Sequence, residues 1–152
     1  MNNIDKNWIE YWNTETIFKD KLRKKDNEIF FRNISFFMDF TPNDVVLDVG
    51  CGKCYLADLL KDKVKEVHCI DTSDRYLSAC RKKLGKEENV FFYKMDEKNY
   101  TDLSFLKNVK FTKILCLSLI QYYKNIYEVK DLIRQIQKTA LPGSILLIAD
   151  II

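Results

Sequence analysis

Glycine, proline and histidine are scarce in this chain. Its 152 residues include four glycines, two prolines and one histidine, while hydrophobic residues make up 47% and charged residues 31%. So little glycine and proline excludes a linker-like or low-complexity chain, and the apolar content is typical of an ordered globular protein. At this length we expect one structural domain whose hydrophobic core needs no metal or disulfide.

The chain also lacks a large excess of either charge and any long apolar run. Lys and Arg number 25 against 22 for Asp and Glu, and the net charge of +3 gives no reason to expect a nucleic-acid partner. No apolar run approaches the roughly 18 residues of a membrane span, and the polar start at Met1 to Asp5 is not that of a signal peptide. We therefore expect a cytoplasmic protein without a membrane partner.

Cysteine is present in an odd number, five. Cys69 and Cys116 fall inside apolar, strand-like runs, where a thiol behaves as a small hydrophobic group. Reduced thiols fit this usage best, and no metal site is expected.

From Thr41 onward, short β-branched runs alternate with amphipathic segments. This alternation predicts an α/β domain with a parallel sheet, whose buried strands should be almost wholly apolar. The predicted strands are Val45 to Val49, Glu66 to Ile70, Val90 to Lys94, Lys113 to Leu117 and Ile145 to Ala149. The predicted crossover helices are Tyr55 to Lys61, Ser73 to Leu84 and Ile126 to Thr139.

Local signals mark several boundaries of these elements. Ser73 suits a helix N-cap and Gly85 a helix end, while Leu141 to Gly143 predicts a turn before the fifth strand. The segment Tyr100 to Lys107 is ambiguous and is predicted to hold one short helix at most.

The first forty residues predict a helical cap ahead of a domain at residues 41–152. Two helices are expected, Asn7 to Lys24 and Asp26 to Phe40. The second is predicted to bury an apolar stripe made of Ile29, Phe30, Ile34, Phe37 and Phe40.

The first predicted strand leads into the loop Asp48-Val49-Gly50-Cys51-Gly52-Lys53-Cys54, directly before a helix. Glycines allow a positive φ and a close approach of a ligand to the backbone, and the helix start offers unpaired N–H groups. Asp71 ends the second strand 19 residues after Gly52, where a carboxylate can accept hydrogen bonds from both hydroxyls of a ribose. The combination predicts a site for an adenosine-containing cofactor.

The dinucleotide-binding pattern G-x-G-x-x-G requires a third glycine where this chain has Tyr55, so a nicotinamide cofactor is disfavoured. Asp48 with Gly50 and Gly52 instead resembles the first motif of the class I S-adenosylmethionine-dependent methyltransferases, D/E-x-G-x-G-x-G. The chain departs from that motif at its last position, where Cys54 replaces glycine.

The resemblance extends from Asp44 to the end of the chain, because later segments occur in the family's order. It implies a Rossmann-like three-layer sandwich with strand order 3-2-1-4-5, helices on both faces, and S-adenosyl-L-methionine as cofactor. It also implies roles for the acids: Asp71 would hold the ribose and Asp96 the adenine amino group. The remaining residues implied at the cofactor are Cys51, Thr72, Ser73, Met95, Glu97, Leu117 and Ser118.

Methyl transfer needs in-line approach of a nucleophile, so positioning alone can supply much of the rate acceleration. Weak candidates for a catalytic residue are Tyr122 and Tyr123 after the fourth strand and Asp150 at the end of the fifth. His68 lies within the second strand and is expected to pack or hydrogen-bond there. The expected acceptor is a small molecule, since no basic surface stripe or added recognition domain is evident.

Trp8, Tyr11 and Trp12 form an aromatic cluster at helical spacing near the start of the chain. Packing of an amphipathic helix explains them, but they also suit a lid that places Trp12 over the cofactor, as N-terminal segments of the family often do.

Two alternatives stay open. The sequence stops at Ile152, directly after the fifth predicted strand, so it is either a fragment or a trimmed fold in which the apolar edge from Ile145 to Ile152 invites self-association. The first alternative function is therefore a non-catalytic cofactor-binding module. The spacing Cys51-x-x-Cys54 between strand and helix also permits a thioredoxin-like thiol oxidoreductase.

Overall fold

A five-stranded parallel sheet organises the part of the chain that a computed structural model describes, residues 20–149, with side chains from residue 24 onward. The strands lie in the order β3-β2-β1-β4-β5, which confirms the predicted topology. Their bounds are β1 (Val45–Val49), β2 (Glu66–Asp71), β3 (Val90–Lys94), β4 (Phe111–Leu117) and β5 (Ala140–Ala149).

Helices cover both faces of the sheet. They are α1 (Asp20–Met38), α2 (Tyr55–Leu60), α3 (Asp74–Leu84) and α4 (Ile126–Thr139), with short 3₁₀ turns at Ser104–Leu106 and Ile120–Tyr122. Ser73 caps α3 as predicted, its hydroxyl accepting the Tyr76 N–H at 3.3 Å, and Asn125 caps α4. None of the helices in residues 20–149 is long and apolar enough to cross a bilayer.

The core consists of two layers because successive side chains of a strand point to opposite faces. On β1, Val46 packs with α1, α2 and α3, while Leu47 and Val49 pack with α4 and the 3₁₀ turns. All three side chains are fully buried, and burying one such side chain contributes about 1.5–3 kcal/mol. The predicted three-layer sandwich is therefore present.

The buried face of α1 differs from the predicted stripe. Phe31, Ile34 and Met38, at helical spacing, face the core, whereas Phe37 is 74% exposed and Ile29 is 45% exposed. The segment carries apolar residues all round, so spacing alone permits more than one stripe, and packing on the sheet selects the face centred on Ile34. The predicted helix Asn7 to Lys24 falls largely outside the described residues.

The fifth strand begins earlier than predicted. Phe111 pairs with Ala140 and Lys113 with Ile145, so the expected turn around Pro142 is an irregularity within β5. Gly143 there has φ +81°. An irregular position suits Pro142, which has no N–H for the ladder.

The expectation of reduced thiols throughout is wrong for one pair. Cys54 and Cys80 form a disulfide between the start of α2 and the middle of α3, while Cys51, Cys69 and Cys116 are buried free thiols. The two bonded residues lie 26 positions apart, and nothing in the local sequence of either predicted their proximity.

Candidate functional site

A cavity of about 380 Å³ opens at the carboxyl ends of β1, β2 and β4. This volume lies within the range of small-molecule sites. The cavity also lies where the strand order reverses between β1 and β4, the position at which open α/β sheets bind ligands. The fold therefore places a binding cavity where the glycine loop ends.

The glycine loop forms one wall of this cavity. Gly50 and Gly52 have φ +75° and +51°, and the N–H groups of Gly50 and Cys51 donate to the Ile70 carbonyl at 2.9 and 3.0 Å. A Cβ added to Gly50 would lie 3.0 Å from Leu119 Cδ1, whereas one added to Gly52 would meet nothing within 4 Å. Because Gly52 also lines the cavity, its open side can admit a ligand close to the backbone.

Asp71 joins this loop to the start of α3. Its Oδ2 accepts the Gly52 N–H and its Oδ1 accepts the Ser73 N–H, both at 2.8 Å. Burial raises the pKa of Asp71, and hydrogen bonds from the backbone N–H groups of Ser73, Gly52 and Thr72 oppose that shift. Each carboxylate oxygen can accept more than one hydrogen bond, so Asp71 keeps acceptor capacity toward the cavity.

Asp48 is a buried carboxyl on the same wall. The residue is 3% exposed, and its carboxyl accepts no hydrogen bond from residues 20–149. Burial, and then the negative charge of Asp71, raise the pKa of Asp48 to about 7. A cationic or hydrogen-donating ligand in the cavity would supply the partner that Asp48 lacks.

The opposite wall comes from the segment after β4. Ser118 has φ +50°, its N–H donates to the Ala149 carbonyl at 2.8 Å, and Gln121 Nε2 donates to its carbonyl at 3.3 Å. The Tyr123 hydroxyl donates to the Tyr100 carbonyl at 3.1 Å, and burial raises the pKa of Tyr123. Tyr123 is therefore poorly suited to act as a base.

Most of the residues singled out in the sequence come together here. Those that line the cavity are Asp48, Gly50, Cys51, Gly52, Asp71, Thr72, Met95, Leu117, Ser118, Tyr122 and Tyr123. Trp12 and Asp150 lie outside the described residues.

Three of the singled-out residues do not line the cavity. Ser73 is 1% exposed and is engaged in capping α3. Asp96 Oδ1 accepts the Lys98 N–H at 2.8 Å, and Glu97 Oε1 lies 3.1 Å from Lys94 Nζ. Asp96 and Glu97 border a separate shallow depression instead.

Other residues reach the cavity without a local sequence signal. They are Asp26, Asn27, Lys53, Tyr55, Leu56, Tyr76, Tyr100, Leu119 and Gln121. Asp26 and Asn27 arrive because α1 packs against α2, and Tyr76 because α3 begins at the cavity edge. Lys53 and Tyr55 could have been predicted only from their position between the first strand and the following helix, since their residue types give no signal.

His68 stays outside the site, as expected from its position within β2. It is 3% exposed, and its ring stacks on Phe91 with centroids 4.7 Å apart. Its nitrogens lie 3.1 Å from Tyr93 Oη and from Glu66 Oε2. Burial lowers the pKa of His68, and the ring packs between the aromatic side chains of β3 and Phe111 of β4.

Comparison with known proteins identifies the family. A family model described as a methyltransferase domain matches residues 46–143, more than half of the chain. The chain belongs to the methyltransferase domain family. No curated protein sequence matches this methyltransferase domain.

Several solved structures share the fold of this methyltransferase domain. A Clostridium acetobutylicum S-adenosylmethionine-dependent methyltransferase has a TM-score of 0.69 at 20% identity, over 87% of this chain and 54% of its own. The DhpI–SAH complex has a TM-score of 0.71 at 11% identity, and the match covers 95% of this chain and 68% of that protein. Coclaurine N-methyltransferase, bound to N-methylheliamine and SAH, has a TM-score of 0.66 at 18% identity, and the match covers 90% of this chain and 37% of that protein.

These comparisons confirm the class I Rossmann-like methyltransferase fold that the loop around Asp48 predicted. This methyltransferase domain spans about half of the length of the Clostridium protein and about a third of coclaurine N-methyltransferase. The thioredoxin-like alternative is wrong: the described strands are all parallel, and Cys54 is bonded to Cys80 rather than to Cys51.

Proposed function

We propose that this domain binds S-adenosyl-L-methionine and transfers its methyl group to a small-molecule acceptor. The observation that carries the proposal is the buried Asp48 carboxyl, which lines the same cavity as Gly52 and Asp71 and has no partner among the described residues. S-adenosylmethionine carries a sulfonium, an ammonium and two ribose hydroxyls, groups that a carboxylate attracts or can accept hydrogen bonds from. The residues present therefore fit this cofactor.

In this proposal different residues of the chain contact different parts of the cofactor. Asp71 accepts from the ribose hydroxyls, Gly52 lets the ligand approach the backbone, and Asp48 faces positive charge. Thr72 and Met95 line the adenine end, while Leu117 and Ser118 border the methionine end. A contact between Asp96 and the adenine stays a prediction, and it requires the Asp96 side chain to leave the Lys98 N–H.

When bound, the cofactor supplies an electrophilic methyl carbon. The protein's contribution is position: the walls after β1 and β4 hold the two reactants in line, which can supply much of the acceleration. Tyr122 and Gln121 line the side of the cavity left for the acceptor. Because Tyr123 holds its proton on the Tyr100 carbonyl, we propose an acceptor that attacks as a neutral nucleophile without a tyrosinate base.

The cavity volume of about 380 Å³ suits the cofactor itself, and the small net charge of +3 supports a small acceptor rather than a nucleic acid. Coclaurine N-methyltransferase, which was solved with the small molecule N-methylheliamine bound, supports a small acceptor, although an rRNA methylase from Streptococcus thermophilus shares the fold as well. A cytoplasmic location, the division into a cap at residues 1–40 and a domain at 41–152, and a lid containing Trp12 also remain part of the proposal.

Calorimetry tests the cofactor half of the proposal. We expect the wild-type chain to bind S-adenosylmethionine and S-adenosylhomocysteine, and Asp71→Asn to weaken both by roughly tenfold or more through the lost carboxylate–hydroxyl bonds. Asp58→Asn is the matched control, since Asp58 pairs with Lys83 away from the cavity. Absence of binding by the wild type, or an equal loss in both variants, would contradict the proposal.

Transfer is tested separately with methyl-labelled cofactor and a panel of amines, phenols, carboxylic acids and RNA. Label incorporated into a small molecule supports the enzyme. Incorporation into RNA alone would show that the acceptor is misassigned. Cofactor binding without transfer to any member of the panel would favour the non-catalytic module.

A further inference from the structure

Four of the five cysteines meet beneath the glycine loop. Cys51 and Cys54 belong to the loop, Cys69 to β2 and Cys80 to α3, and all four pack in the same core cluster. Cys54 is bonded to Cys80, and Cys51 Sγ lies 3.6 Å from Cys54 Sγ. We propose that Cys54 and Cys80 are a reversible disulfide that exchanges with low-molecular-weight disulfides through Cys51 and fixes the glycine loop.

The bonded position controls the backbone at the end of this loop. Cys54 has φ +54°, a left-handed conformation that is unfavourable for a residue other than glycine. It also precedes α2 without a side-chain cap. The bond to Cys80 holds Cys54 in this conformation and ties the loop to α3, so reduction leaves the strained residue without its covalent restraint.

The cluster provides a second contact for Cys80 after reduction. Cys80 Sγ lies 3.3 Å from the Gly52 carbonyl oxygen, where a thiol can donate a weak hydrogen bond. This contact is present beside the disulfide, so it can keep α3 against the loop after the bond to Cys54 is reduced.

Cys51 is the route by which a disulfide reagent reaches the pair. Cys54 and Cys80 are 0% and 1% exposed, whereas Cys51 lines the cofactor cavity and is 9% exposed. A hydrogen bond with Cys69 and burial raise the pKa of the Cys51 thiol, and the charges of Asp71 and Asp48 act in the same direction. The resting thiol is therefore protonated, and exchange is expected to be slow and to accelerate with pH.

The exchange balances with oxidised glutathione as the co-reactant. The Cys51 thiolate attacks glutathione disulfide and releases one glutathione thiol. Cys54 then attacks the Cys51 sulfur and releases the second, and Cys80 attacks the Cys54 sulfur and returns Cys51 to a thiol. In the net reaction the thiols of Cys54 and Cys80 lose two protons and two electrons. One glutathione disulfide takes up these protons and electrons and leaves as two glutathione thiols.

A metal site made of Cys51, Cys54 and Cys69 is the competing interpretation, since their sulfur atoms lie within 4.8 Å of one another. Two observations oppose it. The Cys54 sulfur is bonded to Cys80, and the nearby carboxyls of Asp48 and Asp71 make a cluster of thiolates costly.

Thiol mapping tests the exchange without any cofactor. The full chain is reduced, freed of reductant and incubated with glutathione disulfide, and its thiols are then alkylated and mapped by mass spectrometry. We expect a Cys54–Cys80 bond to form, and Cys51→Ala to slow its formation by roughly tenfold or more. Cys116→Ala, a buried free thiol on the other face of the sheet, should leave the rate unchanged.

A second variant guards against a Cys51→Ala protein that fails to fold. In Cys80→Ala the reaction cannot proceed past its intermediate, so a Cys51–Cys54 bond or a glutathione adduct on Cys51 should accumulate. Failure of Cys54 to pair with Cys80 in the wild type or an unchanged rate in Cys51→Ala would overturn the proposal. So would stoichiometric zinc in the purified protein, or a Cys80→Ala protein that shows neither a Cys51–Cys54 bond nor an adduct on Cys51.

The consequence for the cofactor rests on the proposed function. Because the disulfide preorganises the loop, the oxidised protein should bind S-adenosylhomocysteine roughly three- to tenfold more tightly than the reduced protein. Equal affinities in calorimetry would refute control of the loop. Absence of binding in both states would refute the proposed function and leave the thiol mapping to decide the exchange.

Discussion

At the scale of single residues, Asp48 shows a conflict between stability and function. Its pKa rises from the ordinary 3.8 to about 7 in the folded protein, so folding favours the protonated form. Between these two values the unfolded chain loses its proton first, and stability falls as the pH rises, by about 1.4 kcal/mol for each pH unit. Above about pH 7 the cost is complete, and below about pH 4 it is absent.

Asp48→Asn should therefore stabilise the free protein while weakening cofactor binding. We expect the gain in the free energy of unfolding to be larger by about 2–4 kcal/mol near pH 8 than near pH 4, because the amide carries no charge to bury. Denaturant titrations at both pH values measure it, with Asp58→Asn, a partly exposed carboxylate paired with Lys83, as the control. A gain that does not change with pH would show that burial does not perturb Asp48 in this way.

The role of Gly52 in cofactor binding can be tested with a matched pair of glycine-to-alanine substitutions. Gly52→Ala and Gly143→Ala both place a Cβ at positive φ, +51° and +81°, with no atom within 4 Å. Each should cost about 1–2 kcal/mol of stability, but only Gly52 lines the cavity. Calorimetry should show cofactor affinity reduced roughly tenfold or more in Gly52→Ala and unchanged in Gly143→Ala, and equal affinities would remove Gly52 from the binding site.

At the scale of elements, the sequence was most informative where one signal had one physical solution. The bounds of β1, β3 and α4 were predicted to the residue, because apolar runs and helical spacing there are bordered by clear breaks. The errors arose where local chemistry allowed two solutions. Pro142 and Gly143 can end a strand or form an irregularity within it, and the aromatic run of α1 can present more than one face.

The revised face of α1 predicts an asymmetry between neighbouring side chains. Met38 is 1% exposed and Phe37 is 74% exposed. Met38→Ala should cost about 2–5 kcal/mol through lost burial and a cavity, and Phe37→Ala less than about 0.5 kcal/mol. Chemical denaturation of both variants decides the face, and the reverse ranking would restore the stripe through Phe37.

At the scale of the whole molecule, the candidate site divides into a part that sequence could predict and a part that only packing creates. Asp48, Gly52 and Asp71 converge because the ends of parallel strands share one edge, so spacing along the chain was enough. Asp26 and Tyr100 reach the cavity through contacts between distant segments. The bond between Cys54 and Cys80 belongs to the same class, since it depends on how α3 lies beneath the loop.

The sheet edge gives the last prediction. Among the described residues, β5 pairs with β4 alone, so its other side is an open edge. Three apolar residues of β5 are partly exposed: Leu141 is 41% exposed, Ile145 is 39% exposed and Ile148 is 43% exposed. An apolar strand edge is a template for pairing, so we expect a second copy to dock there and the protein to dimerise over roughly 10 to 300 µM.

Sedimentation across that range should show a mass that rises toward the dimer. Ile148→Lys should hold the protein monomeric, because a charge on the edge is costly to bury in a second sheet. Tyr127→Lys, on α4 and 76% exposed, should leave association unchanged. A wild-type protein that stays monomeric throughout would mean that this edge does not pair with itself, and equal effects of both lysines would place the contact elsewhere or assign it to general charge.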